Sequence, residues 1–139
     1  MGQISKKYLD IMTYEVLGAA IEVHKELGPG LLESVYHKCL KRELDYRQIP
    51  YETELCVPIQ YKDENIDADL RCDFFIDGCI VVEIKSVEKL KPIFEAQLLT
   101  YMKLLKAPKG ILINFNVKNI FKEGQKTYVN EYFRNLTEE

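Results

Sequence analysis

The sequence predicts a mixed α/β (α+β) fold in which helices flank a mixed β-sheet. The first 47 residues repeat apolar positions at helical spacing, residues 51–86 alternate between apolar and polar, and one helical segment separates two apolar strands further on. A helix between two strands predicts a crossover to a parallel strand, whereas short turns predict antiparallel neighbours. The predicted order is α-α-β-β-β-α-β, within one domain covering residues 1–139.

Two amphipathic helices open the chain. The first runs from Tyr8 to Leu27 and ends at Gly28-Pro29-Gly30, because glycine and proline interrupt helices. The second runs from about Leu31 to Arg47. We expect the apolar stripe of each helix to face the core. These stripes are Leu9, Met12, Val16, Leu17, Ala20, Ile21, Val23 and Leu27 on the first, and Leu32, Val35, Tyr36, Cys39, Leu40 and Leu44 on the second.

Three strands are predicted to follow as a meander. They cover residues 51–61, 66–76 and 79–86, and are separated by residues 62–65 and by Asp77-Gly78. Side chains alternate between the two faces of a strand. The expected inward sets are Tyr51, Thr53, Leu55, Val57 and Ile59 on the first strand and Ile66, Ala68, Leu70, Cys72, Phe74 and Ile76 on the second, with Asp67, Asp69, Arg71 and Asp73 on the opposite face.

The last third of the chain predicts a crossover helix and two strands. Pro92 suits the first turn of a helix that runs to about Lys106 and stops at residues 107–110. Residues 111–115 form a short apolar run typical of a buried strand. Residues 125–129 predict an edge strand.

The segment Val81-Val82-Glu83-Ile84-Lys85 places two charges in an otherwise apolar strand. Glu83 and Lys85 share one face, because side chains alternate along a strand. Burying charges costs free energy unless they are paired, hydrated or bound to a metal. One interpretation is therefore a cross-strand ladder of salt bridges on a solvated face, with Asp73 as the partner.

The other interpretation is a metal-dependent phosphodiesterase site. Asp73 and Glu83 can hold Mg²⁺ or Mn²⁺ through oxygen ligands, and the Ile84 carbonyl is a further candidate ligand. Lys85 would neutralise the phosphate or lower the pKa of the attacking water.

This interpretation requires Asp73 and Glu83 to lie on the same face. A two-residue Asp77-Gly78 loop would pair Ile76 with Cys79 and place Asp73 opposite Val82, on the wrong face. The sequence therefore predicts a three-residue loop or a bulge here, with Gly78 at positive φ.

Two further motifs offer polar side chains near such a site. Glu33 lies in the first turn of the second helix, where the helix dipole alone also favours a glutamate. Gln97 and Tyr101 are i, i+4 neighbours on the crossover helix and would hold a nucleotide phosphate or orient Lys85. The alternative for this pair is an ordinary, partly buried Gln and Tyr.

Composition restricts the possible partners. The net charge is −3, yet residues 85–126 hold nine lysines against three glutamates, a local charge of +6 that either contacts phosphates or is a solvated surface. The four cysteines lack C-x-x-C spacing, so we expect reduced, buried thiols and no zinc. Neither a membrane-spanning segment nor a signal peptide is evident, so we expect a cytoplasmic protein without a membrane partner.

Four ordered motifs closely resemble the GxxExxY protein family of the PD-(D/E)xK nuclease superfamily. They are residues 27–36 (LGPGLLESVY), 71–74 (RCDF), 82–85 (VEIK) and 95–101 (EAQLLTY), and the resemblance covers roughly residues 8–117. It implies a restriction-endonuclease-like αβββαβ core preceded by an extra helix. The proline that gives the superfamily its name is replaced by Cys72, at a position that varies in the superfamily.

The resemblance also implies roles for individual residues. Glu33 matches the acidic residue of the first core helix, Asp73 the central metal-binding aspartate, and Glu83 with Lys85 the (D/E)xK pair. Gln97 and Tyr101 look like the Q-x-x-x-Y motif of the recombination-type exonucleases.

His24 fits the family's histidine before Gly-Pro-Gly. It is either a further metal ligand or a residue that caps the helix end. The cluster-binding cysteines of some relatives are missing, so we expect no iron–sulfur cluster.

Two classes of function are expected. The first is a Mg²⁺- or Mn²⁺-dependent deoxyribonuclease that acts on DNA ends or single strands in repair, recombination or mobile-element defence. The second is a non-catalytic module that binds nucleic acid or protein and retains the nuclease fold. Since the predicted core lacks a separate DNA-reading module, sequence-specific cutting would need a homodimer or a larger complex.

Overall fold

The computed structural model describes residues 4–139. It contains four α-helices and seven β-strands, together with a π-helical turn at Ile120–Gly124. The helices are α1 (Lys6–Leu27), α2 (Glu33–Tyr46), α3 (Pro92–Leu105) and α4 (Glu131–Arg134). The strands are β1 (Tyr51–Cys56), β2 (Ile59–Tyr61), β3 (Glu64–Ile66), β4 (Arg71–Ile76), β5 (Ile80–Lys85), β6 (Lys109–Asn114) and β7 (Gln125–Val129).

Five strands form one mixed sheet with the order β1-β4-β5-β6-β7. Helix α3 connects β5 to β6, which run parallel, and the other neighbours are antiparallel. The predicted mixed α/β fold with helices flanking the sheet is confirmed, as is the edge strand at residues 125–129. Strands β2 and β3 form a separate hairpin, so the predicted strands 51–61 and 66–76 are each interrupted.

Each face of the sheet carries its own apolar core. One core lies between the sheet and helices α1 and α2, and the other lies between the sheet and α3. Strand β5 contributes to both, with Val82 and Ile84 on the α1/α2 side and Val81 on the α3 side. This double burial explains why β5 reads as a nearly continuous apolar run.

The loop between α1 and α2 is fixed by Tyr36. Its ring is fully buried and stacks on Phe115 with the ring centroids 4.5 Å apart. Its hydroxyl donates to the Gly28 carbonyl at 2.5 Å and accepts from the Leu31 amide at 3.2 Å. The Gly-Pro-Gly turn is therefore attached to the first turn of α2, where Glu33 lies.

The predicted helical stripes are partly wrong. On α1, Ile21 and Leu27 are exposed and the buried side includes Thr13 and Ala19 instead. On α2, Leu32 is 75% exposed, because it precedes the first helical turn. The buried side of a helix is set by its contact with neighbouring elements, which the apolar spacing alone describes only to within about one residue.

The turn between β4 and β5 has the predicted register. Ile76 pairs with Ile80, so Asp77, Gly78 and Cys79 form a three-residue loop. The Cys79 amide donates to the Ile76 carbonyl at 2.9 Å, and Gly78 has a φ of +66°. Tyr8 of α1 donates a hydrogen bond to the Asp77 carboxylate and attaches the loop to the helix. The register brings Asp73 level with Glu83.

The first two predicted strands do not keep their faces as strict alternation requires. Tyr51 packs into the α1/α2 core and Leu55 into the α3 core, although the two were expected on one face. Phe74 and Cys72 are divided between the two cores in the same way. The reversal lies at Glu54, which has a φ of +51° and lies between them on β1. A left-handed residue rotates the strand and redirects the side chains beyond it.

The segment after the β2–β3 hairpin also departs from the prediction. Ile66 and Ala68 are exposed rather than inward, because Ile66 belongs to the separate β2–β3 hairpin and residues 67–70 are not part of a strand. Among the cysteines, Cys72 and Cys79 are buried as expected, whereas Cys56 is exposed. Within residues 4–139, no helix combines the length and the apolar character needed to cross a bilayer.

Substitution of Gly78 tests whether the β4–β5 turn requires a residue that tolerates positive φ. Gly78→Val forces a β-branched residue into a left-handed conformation, which costs about 1–2 kcal/mol. Gly78→Asn is the matched control, because asparagine tolerates positive φ. We expect urea denaturation to show a loss of stability of that size for the valine variant and a smaller loss for the asparagine variant. Equal stability of the two variants would contradict a turn that requires positive φ here.

Candidate active site

Strands β4 and β5 separate next to Asp73 and Glu83. Their regular pairing ends at Phe74 and Val82. Beyond that pair, the Asp73 amide donates to Oε2 of Glu83 at 2.7 Å, and the Ile84 amide donates to Oδ2 of Asp73 at 2.8 Å. Carboxylates thus take the place of backbone carbonyls as acceptors, and two acidic side chains lie between the two strands.

Each carboxylate keeps one oxygen that these amide bonds do not use, Oδ1 of Asp73 and Oε1 of Glu83. Glu83 is only 4% exposed. Burial, together with the negative charge of Asp73, raises the pKa of Glu83 to about 8. Burial also raises the pKa of Asp73, although the Ile84 amide opposes this shift. Glu83, which is buried, and Asp73, which is partly buried, both have raised pKa values, so a cation that binds their charged forms would stabilise the fold.

Lys85 ends β5 next to this pair. Its carbonyl accepts from the Phe115 amide at 2.9 Å, and its Nζ lies over the Phe94 ring, 4.7 Å from the centroid. None of the ion pairs formed within residues 4–139 includes Lys85. Its positive charge nevertheless lowers the pKa values of Asp73 and Glu83, which places the ammonium within electrostatic reach of both acids.

Glu33 approaches the same point from the first turn of α2. Glu33 is an exposed residue, but partial burial of its carboxyl and the charge of Asp73 raise its pKa, and the charge of Lys85 lowers it. The preceding loop is attached to the end of β5, because Ser86 Oγ donates to the Leu31 carbonyl at 2.6 Å. Glu33, Asp73, Glu83 and Lys85 therefore form one electrostatically coupled group from three different elements.

Helix α3 supplies the predicted Gln97 and Tyr101 pair from the other side. The Gln97 amide donates to the Tyr101 hydroxyl at 2.9 Å, and Tyr101 is 3% exposed. Burial raises the pKa of Tyr101, and the charges of Glu83 and Asp73 raise it further. Since the hydroxyl accepts from Gln97, its own proton is left to donate.

Asn114 is a structural residue of the site that the sequence did not single out. Its side chain accepts from the Val87 amide at 3.1 Å and donates to the Val87 carbonyl at 2.9 Å. It is 3% exposed and ends β6, beside Lys85 in the parallel register. Asn114 thereby holds the chain where it leaves β5. A lone Asn at the end of an apolar run was the available sequence signal.

His24, near the end of α1, contacts the loop that follows β6. Nε2 of His24 is 2.7 Å from the Val117 carbonyl oxygen and donates a hydrogen bond to it, which leaves Nδ1 unused by this contact. Within residues 4–139, the group of potential metal ligands around Asp73 includes neither His24 nor the predicted ligands Glu33 and Glu83.

That group instead contains His37 and Glu54, which the sequence did not assign. One ligand atom from each of His37, Glu54 and Asp73 lies within 4.8 Å of the others. Nε2 of His37 is buried and lacks a hydrogen-bond partner within residues 4–139. An imidazole nitrogen without a hydrogen-bond partner, together with two neighbouring carboxylates, is a set of ligands that suits a divalent cation. The four-residue spacing of Glu33 and His37 on α2 was the sequence signal for the histidine.

Some lysines of the basic segment at residues 85–126 form ion pairs, and others are exposed. Lys109 is buried and pairs with Asp10 at 3.1 Å, and Lys126 lies 3.7 Å from Glu95. Lys89 and Lys91 are exposed and line an open cavity of about 630 Å³, together with Val87, Glu88 and Phe94. Phe94 thus lines this cavity and also lies under the Lys85 ammonium.

Comparison with known families agrees with this geometry. A sequence model of the PD-(D/E)XK nuclease superfamily matches residues 10–127, which include every residue of the acidic group and of the α3 pair. No significant match was found among curated proteins or among solved structures. The restriction-endonuclease-like arrangement of the sheet and helices is consistent with the match. The chain belongs to the PD-(D/E)XK nuclease superfamily.

Proposed function

We propose that this protein is a divalent-metal-dependent nuclease that hydrolyses phosphodiester bonds in DNA. The observation that carries the proposal is the pair of carboxylates between the separated strands, with Lys85 at the end of the strand that carries Glu83. Nucleases of this superfamily generally use divalent metals, and oxygen-rich sites suit Mg²⁺ or Mn²⁺.

The metal would be held by Asp73, Glu83 and the Ile84 carbonyl, with Glu33 as a further ligand from α2. When bound, the cation supplies Lewis acidity toward the phosphate and a reactive nucleophile from water. Each acid binds a backbone amide through one oxygen, so the other oxygen can turn toward a ligand without loss of that amide bond. His24 stays a candidate for a further ligand, because its Nε2 contact with the Val117 carbonyl leaves Nδ1 unused.

Lys85 would stabilise the negative charge that develops on the phosphate. It is free of ion pairs within the described part of the chain, and the Phe94 ring holds its ammonium near the acids without neutralising it. Gln97 and Tyr101 would bind the adjacent phosphate through their amide and hydroxyl protons.

The finer assignments rest on the sequence motifs. The Gly28-to-Tyr36 segment and the E-x-K strand favour the GxxExxY group within the superfamily, and the Q-x-x-x-Y pair favours action on DNA ends or single strands. Roles in repair, recombination or mobile-element defence fit such an activity. A homodimer or larger complex would supply any sequence specificity, because the site itself offers contacts to phosphates rather than to base edges.

Cleavage assays test the proposal with matched controls. We expect the protein to cut linear or single-stranded DNA with Mg²⁺ or Mn²⁺, and Asp73→Asn and Lys85→Met each to lower the rate by about 100-fold or more, because each removes a charge that the reaction needs. Asp63→Asn and Lys62→Met, in the exposed β2–β3 turn, should leave the rate unchanged.

Two outcomes would contradict the proposed nuclease activity of this site. Cleavage that survives both active-site substitutions would mean that another site or another protein is responsible. Metal-dependent binding of DNA without cleavage of any DNA or RNA substrate would favour the alternative of a non-catalytic module.

The raised pKa of Glu83 predicts a pH-dependent stability of the metal-free protein. Between the ordinary pKa of 4.5 and the folded value of about 8, the folded state holds a proton that the unfolded state has released. Stability should therefore fall as the pH rises through this range. Urea denaturation in EDTA should show a loss on the order of 2 kcal/mol between pH 5.5 and 8.

Glu83→Gln should remove most of this pH dependence, because glutamine keeps the acceptor for the Asp73 amide but does not titrate. Saturating Mg²⁺ should also flatten the profile of the unsubstituted protein, since the cation stabilises the charged carboxylates. A variant with the same pH slope as the original protein would show that Glu83 does not carry the shift.

A further inference from the structure

We propose that His37 and Glu54, together with Asp73, bind a second divalent cation beside the Asp73–Glu83 pair, and that the His37 imidazole makes this position selective for Mn²⁺ over Mg²⁺. The proposal rests on the proposed function through Asp73, which would serve both cations. It adds two residues that lie outside the E-x-K strand.

The three side chains converge from three elements. His37 comes from α2, Glu54 from β1 and Asp73 from β4, and their ligand atoms lie within 4.8 Å of one another. Ligands about 2.1 Å from a shared ion lie at most about 4.2 Å apart. Side-chain rotations that shorten the longest of these separations by about 0.6 Å, from 4.8 to about 4.2 Å, would therefore bring the group to coordination distance.

The His37 ring is fixed in place by packing. It stacks on the Phe74 ring with centroids 4.5 Å apart and an interplanar angle of 29°. Its Nε2 is buried without a hydrogen bond inside residues 4–139 and lies 3.6 Å from Oε1 of Glu54. A buried polar atom without a partner destabilises the fold, and a bond to a metal would offset that cost.

The backbone directs Glu54 toward this point. Its φ of +51° is uncommon for a residue other than glycine, asparagine or aspartate. The β1–β4 pairing includes Thr53 with Phe74 and Leu55 with Cys72 but omits Glu54 with Asp73. Both strands are therefore irregular at the two residues that face His37, which frees their carboxylates from the ordinary alternation of the sheet.

The chemistry of the three ligands distinguishes among cations. Imidazole nitrogen suits first-row transition metals, whereas Mg²⁺ prefers oxygen ligands and water. A site with one imidazole and two carboxylates therefore favours Mn²⁺ over Mg²⁺. A simple ion pair between a protonated His37 and Glu54 is the competing explanation of the same geometry.

Calorimetric titration of the full chain with MnCl₂ or MgCl₂ separates the two explanations. We expect Mn²⁺ to bind at least about tenfold more tightly than Mg²⁺, and His37→Phe and Glu54→Gln each to lower Mn²⁺ affinity about 10- to 100-fold while changing Mg²⁺ affinity less than about threefold. Phenylalanine keeps a ring to stack on Phe74, and Glu52→Gln, at an exposed glutamate two residues before Glu54, is the control that should bind both metals normally.

Mn²⁺ affinities of both variants within about twofold of the unsubstituted protein would overturn the proposal and leave the ion pair. If His37→Phe fails to fold by circular dichroism, Glu54→Gln carries the same test alone. The outcome is separable from that of the nuclease. Mn²⁺ binding that needs His37 in a protein that cuts no substrate would contradict only the nuclease, and cleavage that needs Asp73 with Mn²⁺ binding indifferent to His37 would contradict only the second site.

Discussion

The amides of Asp73 and Ile84 donate to carboxylates rather than to carbonyls of the facing strand, at 2.7 and 2.8 Å. This exchange separates β4 from β5 and holds two acids inside the sheet. It depends on the three-residue turn at residues 77–79, because one residue fewer would bring Val82 opposite Asp73. The local register of one hairpin therefore decides whether the chain has an acidic site at all.

The surrounding structure keeps this strained arrangement in place. Burial raises the pKa of Glu83, so the pair is less stable in its charged form than exposed acids would be. Two apolar cores on opposite faces of the sheet offset that cost. Tyr36 attaches the α1–α2 loop, and Asn114 holds the chain beyond Lys85. A cation site needs a stable scaffold that holds carboxylates whose charged form is unfavourable on its own. A bound cation then stabilises those charged carboxylates.

Much of this could be predicted from sequence, for identifiable physical reasons. The three-residue turn at Asp77-Gly78 was predicted because only such a turn places Asp73 level with Glu83. The crossover helix was predicted from Pro92 and from the helical spacing that follows it. The reversal at Glu54 was not predictable, because nothing in its neighbourhood marks a glutamate for positive φ. His37 and Glu54 could therefore not be assigned to the site from the sequence. Their position beside Asp73 depends on the reversal at Glu54 and on tertiary contacts between α2 and the sheet.

The most direct test of the central claim is the response of two backbone amides to Mg²⁺ by NMR. If the Asp73 and Glu83 carboxylates bind the cation, the amide resonances of Asp73 and Ile84 should shift on Mg²⁺ addition and titrate with pH in its absence. The Cys79 amide, which donates to the Ile76 carbonyl in the turn, should remain unchanged under both conditions. Asp73 and Ile84 resonances that ignore both pH and saturating Mg²⁺ would contradict the account.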